Sequence, residues 1–137
     1  MKKIYFITAL LIMATIAYGQ PKKGGVIGIY ALTVTLDPDV TMNQYLDYAL
    51  NEFIPVFEKN VPGVKIFYLH GYRGDHSNGY GLMIYCESVE VYDKYWNEKG
   101  ENTEMLNQIY EEHLKEHWEK AGNLAKLSWD FTDWKIL

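Results

Sequence analysis

Two histidines near the C-terminus are the first residues whose spacing could support chemistry. His113, Glu116 and His117 match the pattern H-x-x-E-H, which is typical of one class of zinc metalloprotease. A catalytic zinc needs three protein ligands, and this pattern supplies only two histidines. Only 20 residues follow His117, and most of them are predicted to form a strand. The sequence therefore argues against a zinc protease, and no metal site is predicted.

The helix that carries these histidines is predicted to place both on its apolar side. At about 100° per residue, His113 lies about 20° to one side of Leu106 and His117 about 20° to the other. Tyr110 falls in the same arc, whereas Glu116 falls outside it, about 80° from Leu106. Both imidazole rings are therefore expected to face the sheet. They could form a hydrogen-bonded core pair, line a cavity between helix and sheet, or lie on the surface.

A second cluster of candidate site residues lies in the segment YLHGYRGDHSNGYG. Strand alternation places Tyr68, His70 and Tyr72 on one face and Arg73 on the other. Arg73 is the only arginine in the chain, and its planar guanidinium suits carboxylates. With Asp75, these residues could edge the mouth of a pocket for an anionic ligand. Alternatively, Arg73 and Asp75 could form a local salt bridge that holds a hairpin.

The tryptophans and the single cysteine suggest packing roles. Trp118, Trp129 and Trp134 cluster late in the chain and are predicted to be core or interface anchors, with sugar stacking as an alternative. Trp129 is also a candidate pocket residue. Cys86 has no partner for an internal disulfide and is predicted to be buried and unreactive.

The N-terminus has the layout of a cleavable secretory signal. Lys2 and Lys3 precede an apolar run that small residues close, so residues 1–19 are predicted to be a signal peptide. Residues 20–25 would form a flexible lead-in and residues 26–137 a single domain. The protein is therefore expected to be secreted or periplasmic, without a membrane span after cleavage. A net charge of -5 and the lack of a basic run argue against nucleic-acid binding.

The predicted elements follow a strand–helix–strand–strand–helix–strand order. The uncharged segment VIGIYALTVTL is a strand, and Thr41 with Gln44 forms a capping box that opens a helix to about Lys59. Pro55 is expected to kink or break the last turns of that helix. The segments VKIFYLHGYRG and YGLMIYCES are predicted to form two strands joined by a hairpin.

The second half of the chain continues the pattern. Ser88 can cap a short helix that Gly100 closes, and a longer helix is predicted from Asn102 or Thr103 to about Ala121. The segment AKLSWDFTDWKIL forms the last strand. This order predicts an α+β, ferredoxin-like βαββαβ fold with an antiparallel sheet.

Two stretches carry a family resemblance. NEFIPVFEKNVPGVKIFYLHGYRGD and YGLMIYCESVEVYDKYW resemble small secreted bacterial proteins of the dimeric α/β-barrel superfamily, which includes NIPSNAP-like proteins and the antibiotic-biosynthesis-monooxygenase-like group. The resemblance covers residues 26–96 best, through the loose motifs PG, RGD and ES. It implies a homodimer formed through the sheet face opposite the helices, which agrees with the uncharged first strand.

The resemblance also frames the expected function. It implies a protein that binds a small apolar or aromatic molecule in a helix–sheet pocket near the two histidines, with monooxygenase-like activity as one option. A non-enzymatic binding or structural module, with the histidines in its core, is the alternative. Haem-using relatives bind haem through a helix histidine, a place that His113 or His117 could take. In haem-degrading relatives an asparagine and a tryptophan accompany the haem-binding histidine, and neither has a matching position in this sequence.

Overall fold

The computed structural model describes residues 21–137, so the predicted signal peptide, residues 1–19, lies outside the described residues. We call residues 42–60 the first long helix and residues 104–124 the second long helix; each contains a π-helical turn. The elements are β1 (Val26–Leu36), α1 (Met42–Tyr48), a π turn (Ala49–Phe53), α2 (Ile54–Asn60), β2 (Val64–His70), β3 (Tyr80–Cys86), α3 (Val89–Tyr95), α4 (Glu104–Ile109), a π turn (Tyr110–Leu114), α5 (Lys115–Leu124) and β4 (Ala125–Lys135).

The four strands form one antiparallel sheet in the order β2-β3-β1-β4. The two long helices and α3 lie on one face of this sheet. This arrangement confirms the predicted ferredoxin-like α+β fold. The strand pairing also fixes which side chains stand together, because residues that pair across a sheet project from the same face.

On the face toward the helices, the strands align their side chains in four cross-strand rows. From the hairpin end of the sheet to the other, these rows are His70–Tyr80–Leu32–Trp129, Tyr68–Leu82–Tyr30–Phe131, Ile66–Ile84–Gly28–Asp133 and Val64–Cys86–Val26–Lys135. Val64, Cys86 and Val26 of the last row belong to the core. Its buried partners come from the helices and the following loop, namely Phe57, Val61, Tyr95, Leu106 and Leu114.

The first long helix begins as the sequence predicts and accommodates its proline. The Thr41 side chain accepts from the Gln44 backbone N–H, and the Gln44 side chain caps Thr41 in return. Pro55 has no N–H, and its ring crowds the carbonyl one turn back. The preceding turn is widened into a π turn in which Ile54 N–H bonds to the Ala49 carbonyl. The helix is therefore distorted at the proline but continues to Asn60 instead of breaking.

Two predicted helix ends are wrong. Helix α3 is capped by Ser88 as expected but ends at Tyr95, and Gly100 lies in the loop beyond it with a positive φ of 73°. The second long helix is capped by Thr103 but runs to Leu124, so the Gly-Asn pair expected to end it lies inside the helix. Residue 125 then begins β4 directly.

Residues 21–25, predicted as a flexible lead-in, are instead held against the end of the chain. The Gly24 N–H donates to the Ile136 carbonyl at 2.9 Å, and the Ile136 N–H donates to the Gly25 carbonyl at 2.8 Å. The Lys22 N–H also donates to the Tyr85 hydroxyl at 2.9 Å. Within residues 21–137, every helix is too short or too polar to cross a membrane.

Candidate functional site

The two candidate histidines do not both face the sheet as predicted. The His113 side chain is 51% exposed and lies 3.7 Å from the Glu112 carboxylate. His117 is half-buried and lies between the two long helices. A polar depression in the protein surface runs past both rings. Its lining is charged, comprising Glu111, Glu112, His113, Lys115, Glu116, His117 and Glu119.

The π turn in the second long helix explains the misplacement. A π turn closes i→i+5 bonds, so it holds one residue more than an α turn and rotates the following positions by about 100°. Up to Ile109 and Tyr110 the apolar stripe lies as predicted, and both residues pack on the core. The turn then buries Leu114 rather than His113. A haem held between this helix and the sheet by either histidine therefore does not fit the structure.

His117 takes part in helix–helix packing. The Tyr48 hydroxyl donates to the His117 carbonyl at 3.0 Å and lies 3.3 Å from Nδ1 of its ring. The Lys120 ammonium lies 4.5 Å from the centre of the Tyr48 ring and pairs with Glu52 at 2.9 Å. These contacts join the two long helices.

The hairpin candidates do not form a common site. Strand β2 ends at His70, so alternation does not extend to Tyr72 and Arg73. Tyr72 is 84% exposed, and the Arg73 guanidinium lies 5.0 Å from the centre of its ring. Within residues 21–137, Arg73 and Asp75 form no salt bridge, so the predicted local ion pair is wrong. No described contact joins either residue to the rest of the candidate site.

The sheet does place other candidates on one face. His70 and Trp129 lie at opposite ends of one cross-strand row, with Tyr80 and Leu32 between them. The His70 ring lies 5.1 Å from that of Tyr80. Tyr68, in the next row, donates a hydrogen bond of 3.0 Å to the Tyr45 hydroxyl of the first long helix. These contacts show that this face of the sheet is the one that meets the helices.

Large aromatic side chains on the β1–β4 side of these rows remain open to solvent. Trp129 is 47% exposed and Phe131 is 44% exposed. The Phe131 ring stacks on Tyr30 with centroids 5.2 Å apart and planes 13° apart. The loop residue Gly100 lies against one edge of Phe131. We call Tyr30, Leu32, Trp129 and Phe131 the aromatic shelf.

A half-buried carboxylate, that of Asp133, lies one row below the aromatic shelf. The Tyr92 hydroxyl, on α3, donates a 2.6 Å hydrogen bond to Oδ2 of Asp133. Oδ1 is buried and has no hydrogen-bond partner within the described residues. The space around this carboxylate is too narrow to hold a water molecule. We call it the Asp133 crevice, and its lining is Gly28, Tyr30, Ile84, Cys86, Tyr92, Trp96 and Asp133.

Burial and this carboxylate shift the titration of the neighbouring groups. Burial, with a smaller contribution from Asp133, raises the pKa of Tyr30 to about 12. Burial also raises the pKa of Tyr92, and its hydrogen bond to Asp133 adds to the shift. The pKa of the Cys86 thiol is raised to about 12 by burial and then by Asp133. The thiol therefore stays protonated at neutral pH, as expected of a buried, unreactive cysteine.

The sequence interpretation missed Asp133, although a signal was present. Leu127, Trp129 and Phe131 alternate along β4 toward the helices, and the next position in that series is Asp133. A carboxylate on the buried side of a strand is unusual and is a reason to look for a site. Tyr92 could not be paired with it from the sequence, because the two residues are 41 positions apart.

On the outer face of the sheet, which points away from the helices, apolar side chains are exposed to solvent. Its central row is Phe67–Met83–Ile29–Thr132, by the strand register. The large hydrophobic side chains of Phe67, Ile29 and Trp134 are all exposed to solvent. Trp134 therefore lies on this outer face, whereas Trp129 lies on the face toward the helices.

Comparisons with known proteins give structural likenesses only. No protein-family model and no curated protein matches the chain. It is similar in structure to a dimeric protein of unknown function with a ferredoxin-like fold from Bacteroides fragilis. That likeness has 13% identity and a TM-score of 0.46, and it covers 83% of this chain and 98% of the other.

Two further likenesses are to oxygenase-type proteins. One is SnoaB, a cofactor-independent oxygenase from Streptomyces nogalater, with 14% identity and a TM-score of 0.48 over 80% of this chain and 91% of that one. The other is provisionally assigned as an antibiotic biosynthesis monooxygenase from Bacteroides thetaiotaomicron, with 15% identity and a TM-score of 0.44 over 83% and 90%. These are the kinds of protein that the resemblance names, but at this identity the likeness does not extend to activity, cofactor or partner.

Proposed function

We propose that this is an exported, homodimeric protein that binds a small apolar or aromatic molecule on its aromatic shelf. The observation that carries the proposal is the half-exposure of Trp129 and Phe131, side by side on the sheet face that the helices cover elsewhere. Ligand sites in proteins are mostly apolar, with few polar groups. The shelf meets that description, whereas the charged depression beside His113 does not.

Aromatic rings arranged in this way suit a flat ligand. Phe131 already stacks on Tyr30, and Trp129 lies two residues along the same strand face, about 7 Å away. Aromatic pairs add about 0.5–1.5 kcal/mol beyond the burial of their area. A planar apolar molecule laid across these rings would remove them from water and gain that stacking as well.

The homodimer is proposed on the outer face of the sheet. The exposed Phe67 and Ile29 share a row near its middle, where no charged residue lies. An apolar patch of this kind, bordered by Lys65 and Asp130, is typical of a protein–protein interface. A second copy paired through the same face would cover both patches at once.

Export rests on the sequence of residues 1–19. Their positive start, apolar run and small residues at the end support cleavage before Gln20. The proposed ligand site then lies in a secreted or periplasmic protein. The NIPSNAP-like part of the resemblance stays a prediction.

A monooxygenase-like reaction is the second candidate function. It is favoured by the position of the Asp133 carboxylate at the lower end of the shelf, where it could accept a proton.

A matched pair of tryptophan variants tests the shelf. Trp118 and Trp129 are both 47% exposed, but Trp118 lies on the second long helix against Phe53. We expect 1-methoxynaphthalene, measured by isothermal titration calorimetry, to bind about tenfold more weakly to Trp129→Ala than to the wild type, as about 1.4 kcal/mol implies. Trp118→Ala should bind as the wild type does. Equal weakening in both variants, or no binding to the wild type, would contradict the proposed site.

A further inference from the structure

The Asp133 crevice contains a hydrogen-bond acceptor that the protein leaves without a partner. Oδ2 of Asp133 accepts from Tyr92 at 2.6 Å, while Oδ1 is buried and makes no hydrogen bond within residues 21–137. Buried polar atoms in native structures are almost always paired, because an unpaired one is costly. A hydrogen-bond donor supplied to Oδ1 by a ligand would therefore stabilise the complex.

The protein keeps this oxygen in place but supplies no donor for it. A Cβ atom on residue 28 would lie 2.7 Å from Oδ1, so only glycine at that position lets the carboxylate lie over β1. The crevice is too narrow for a water molecule, so water does not satisfy the oxygen in this state. Neither lysine nor arginine is among the lining residues, which leaves the carboxylate charge without a fixed cation.

The crevice and the aromatic shelf are continuous. Tyr30 lines the crevice and also forms the shelf by stacking on Phe131. Asp133 follows Phe131 by two residues on the same strand face, about 7 Å further along. The edge of a flat molecule lying on the shelf would therefore be directed toward the crevice. Trp96, which is half-buried at the end of α3, forms the opposite side.

On this basis, and resting on the proposed function, we infer that Oδ1 of Asp133 anchors an O–H or N–H donor carried on the edge of a planar aromatic ligand. The ligand class is a neutral phenol or an aromatic amine. The carboxylate repels an anionic group, and a molecule without a donor leaves the oxygen unpaired. Because the crevice has no room for a water molecule, a lining side chain must move before the donor can reach Oδ1.

Two ligands of nearly the same shape test the anchor. 1-Naphthol carries the donor, whereas in 1-methoxynaphthalene a methyl group replaces the hydroxyl hydrogen. The extra methyl group favours the second ligand on apolar burial alone, so the comparison works against the proposal. We expect 1-naphthol to bind the mature protein about tenfold more tightly than 1-methoxynaphthalene does in calorimetry. Hydrogen bonds to charged groups are stronger than those between neutral groups.

Two variants assign that preference to Oδ1. In Asp133→Asn, Tyr92 needs an acceptor and takes the amide oxygen, so the amide NH₂ replaces the free acceptor. We expect the tenfold preference to fall to about one, with an unchanged circular dichroism spectrum as evidence that the variant is still folded. In Tyr92→Phe, both carboxylate oxygens remain available, so the preference should persist.

Each outcome is decisive. A wild-type ratio of about one, or a preference that survives in Asp133→Asn, would overturn the anchor while leaving binding on the shelf intact. If Asp133→Asn does not fold, the wild-type ratio together with the Tyr92→Phe ratio decides the matter, because the anchor requires a preference in both. Failure of both ligands to bind the wild type would instead remove the proposed function, and the anchor with it.

Discussion

The Tyr92 hydroxyl donates a 2.6 Å hydrogen bond to Oδ2 of Asp133 and so ties α3 to the last strand of the sheet. The residues stand on elements that are far apart in the chain, and the bond is part-buried. It holds one oxygen of the carboxylate and leaves the other free within the described residues. The free oxygen is the group that the inferred ligand anchor uses.

Removing the Tyr92 hydroxyl should destabilise the protein. In Tyr92→Phe, Asp133 loses its hydrogen bond, and a half-buried carboxylate without hydrogen-bond partners remains. We expect the free energy of unfolding, measured by urea denaturation, to fall by about 1.5–3 kcal/mol, as for hydrogen bonds to charged groups. Tyr110→Phe is the matched control, because the Tyr110 hydroxyl makes no hydrogen bond within the described residues. An equal loss in both variants would show that the Tyr92–Asp133 bond contributes nothing of its own.

Alkaline pH should weaken the fold through its buried tyrosines. Burial and Asp133 raise the pKa of Tyr30 from 10.0 to about 12. The folded state therefore holds this proton more tightly than the unfolded state does. Its stabilising effect is complete below pH 10 and is lost as the pH rises from about 10 to about 12. We expect the urea midpoint to be lower at about pH 11 than at about pH 9.

The variant Tyr30→Phe tests how much of this fall in the urea midpoint is due to Tyr30. Its urea midpoint should fall less between the two pH values than that of the wild type. A smaller decrease should remain, since the pKa values of Tyr45, Tyr68 and Tyr92 are raised as well. A decrease identical to that of the wild type would show that Tyr30 does not carry a raised pKa.

How far the sequence predicts this protein depends on whether a feature is local. The caps at Thr41, Ser88 and Thr103 are local signals, and all three form as expected. The alternation along β4 also predicts its two faces. The π turn at Tyr110–Leu114 has no local signal such as proline, and it decides that Leu114 rather than His113 enters the core.

In the candidate site, too, the features set by local sequence were predictable and those set by packing between distant elements were not. Trp129, Tyr68 and His70 were predicted as pocket residues from their strands, and the register does place them on one face. Tyr72 and Arg73 were assigned to a strand that ends at His70, so their predicted directions do not hold. The Tyr92–Asp133 pair depends on how α3 packs on the sheet, which no nearby residue in the sequence specifies.

A single charge on the outer face should separate the proposed homodimer. Ile29 lies in the central row of that face, between Met83 and Thr132. We expect Ile29→Lys to give a monomer in light scattering at micromolar concentration, where the wild type gives a dimer, because each copy would bury a lysine without a partner in the interface. Thr35→Lys, on the same face but at the far end of β1, is the control and should stay dimeric. A monomeric wild type would contradict the proposed interface.

His113 and the Tyr48 hydroxyl should contribute unequally to stability. His113 is exposed, so His113→Ala should change the free energy of unfolding by less than about 0.5 kcal/mol. Tyr48→Phe should cost about 1 kcal/mol, because it removes the donor to the His117 carbonyl. Urea denaturation of both variants measures this difference. A large loss in His113→Ala would mean that the ring is buried, as the helical periodicity alone had predicted.

The location of the ligand site is the central claim, and amide and indole chemical-shift mapping tests it most directly. The measurement is a series of ¹H–¹⁵N spectra of the mature protein as 1-methoxynaphthalene is added. We expect the largest shifts at the Trp129 indole and at the backbone of Tyr30, Leu32 and Phe131, with little change at His113. Shifts confined to the outer face around Ile29, or to the charged depression beside His113, would contradict the aromatic shelf as the binding site.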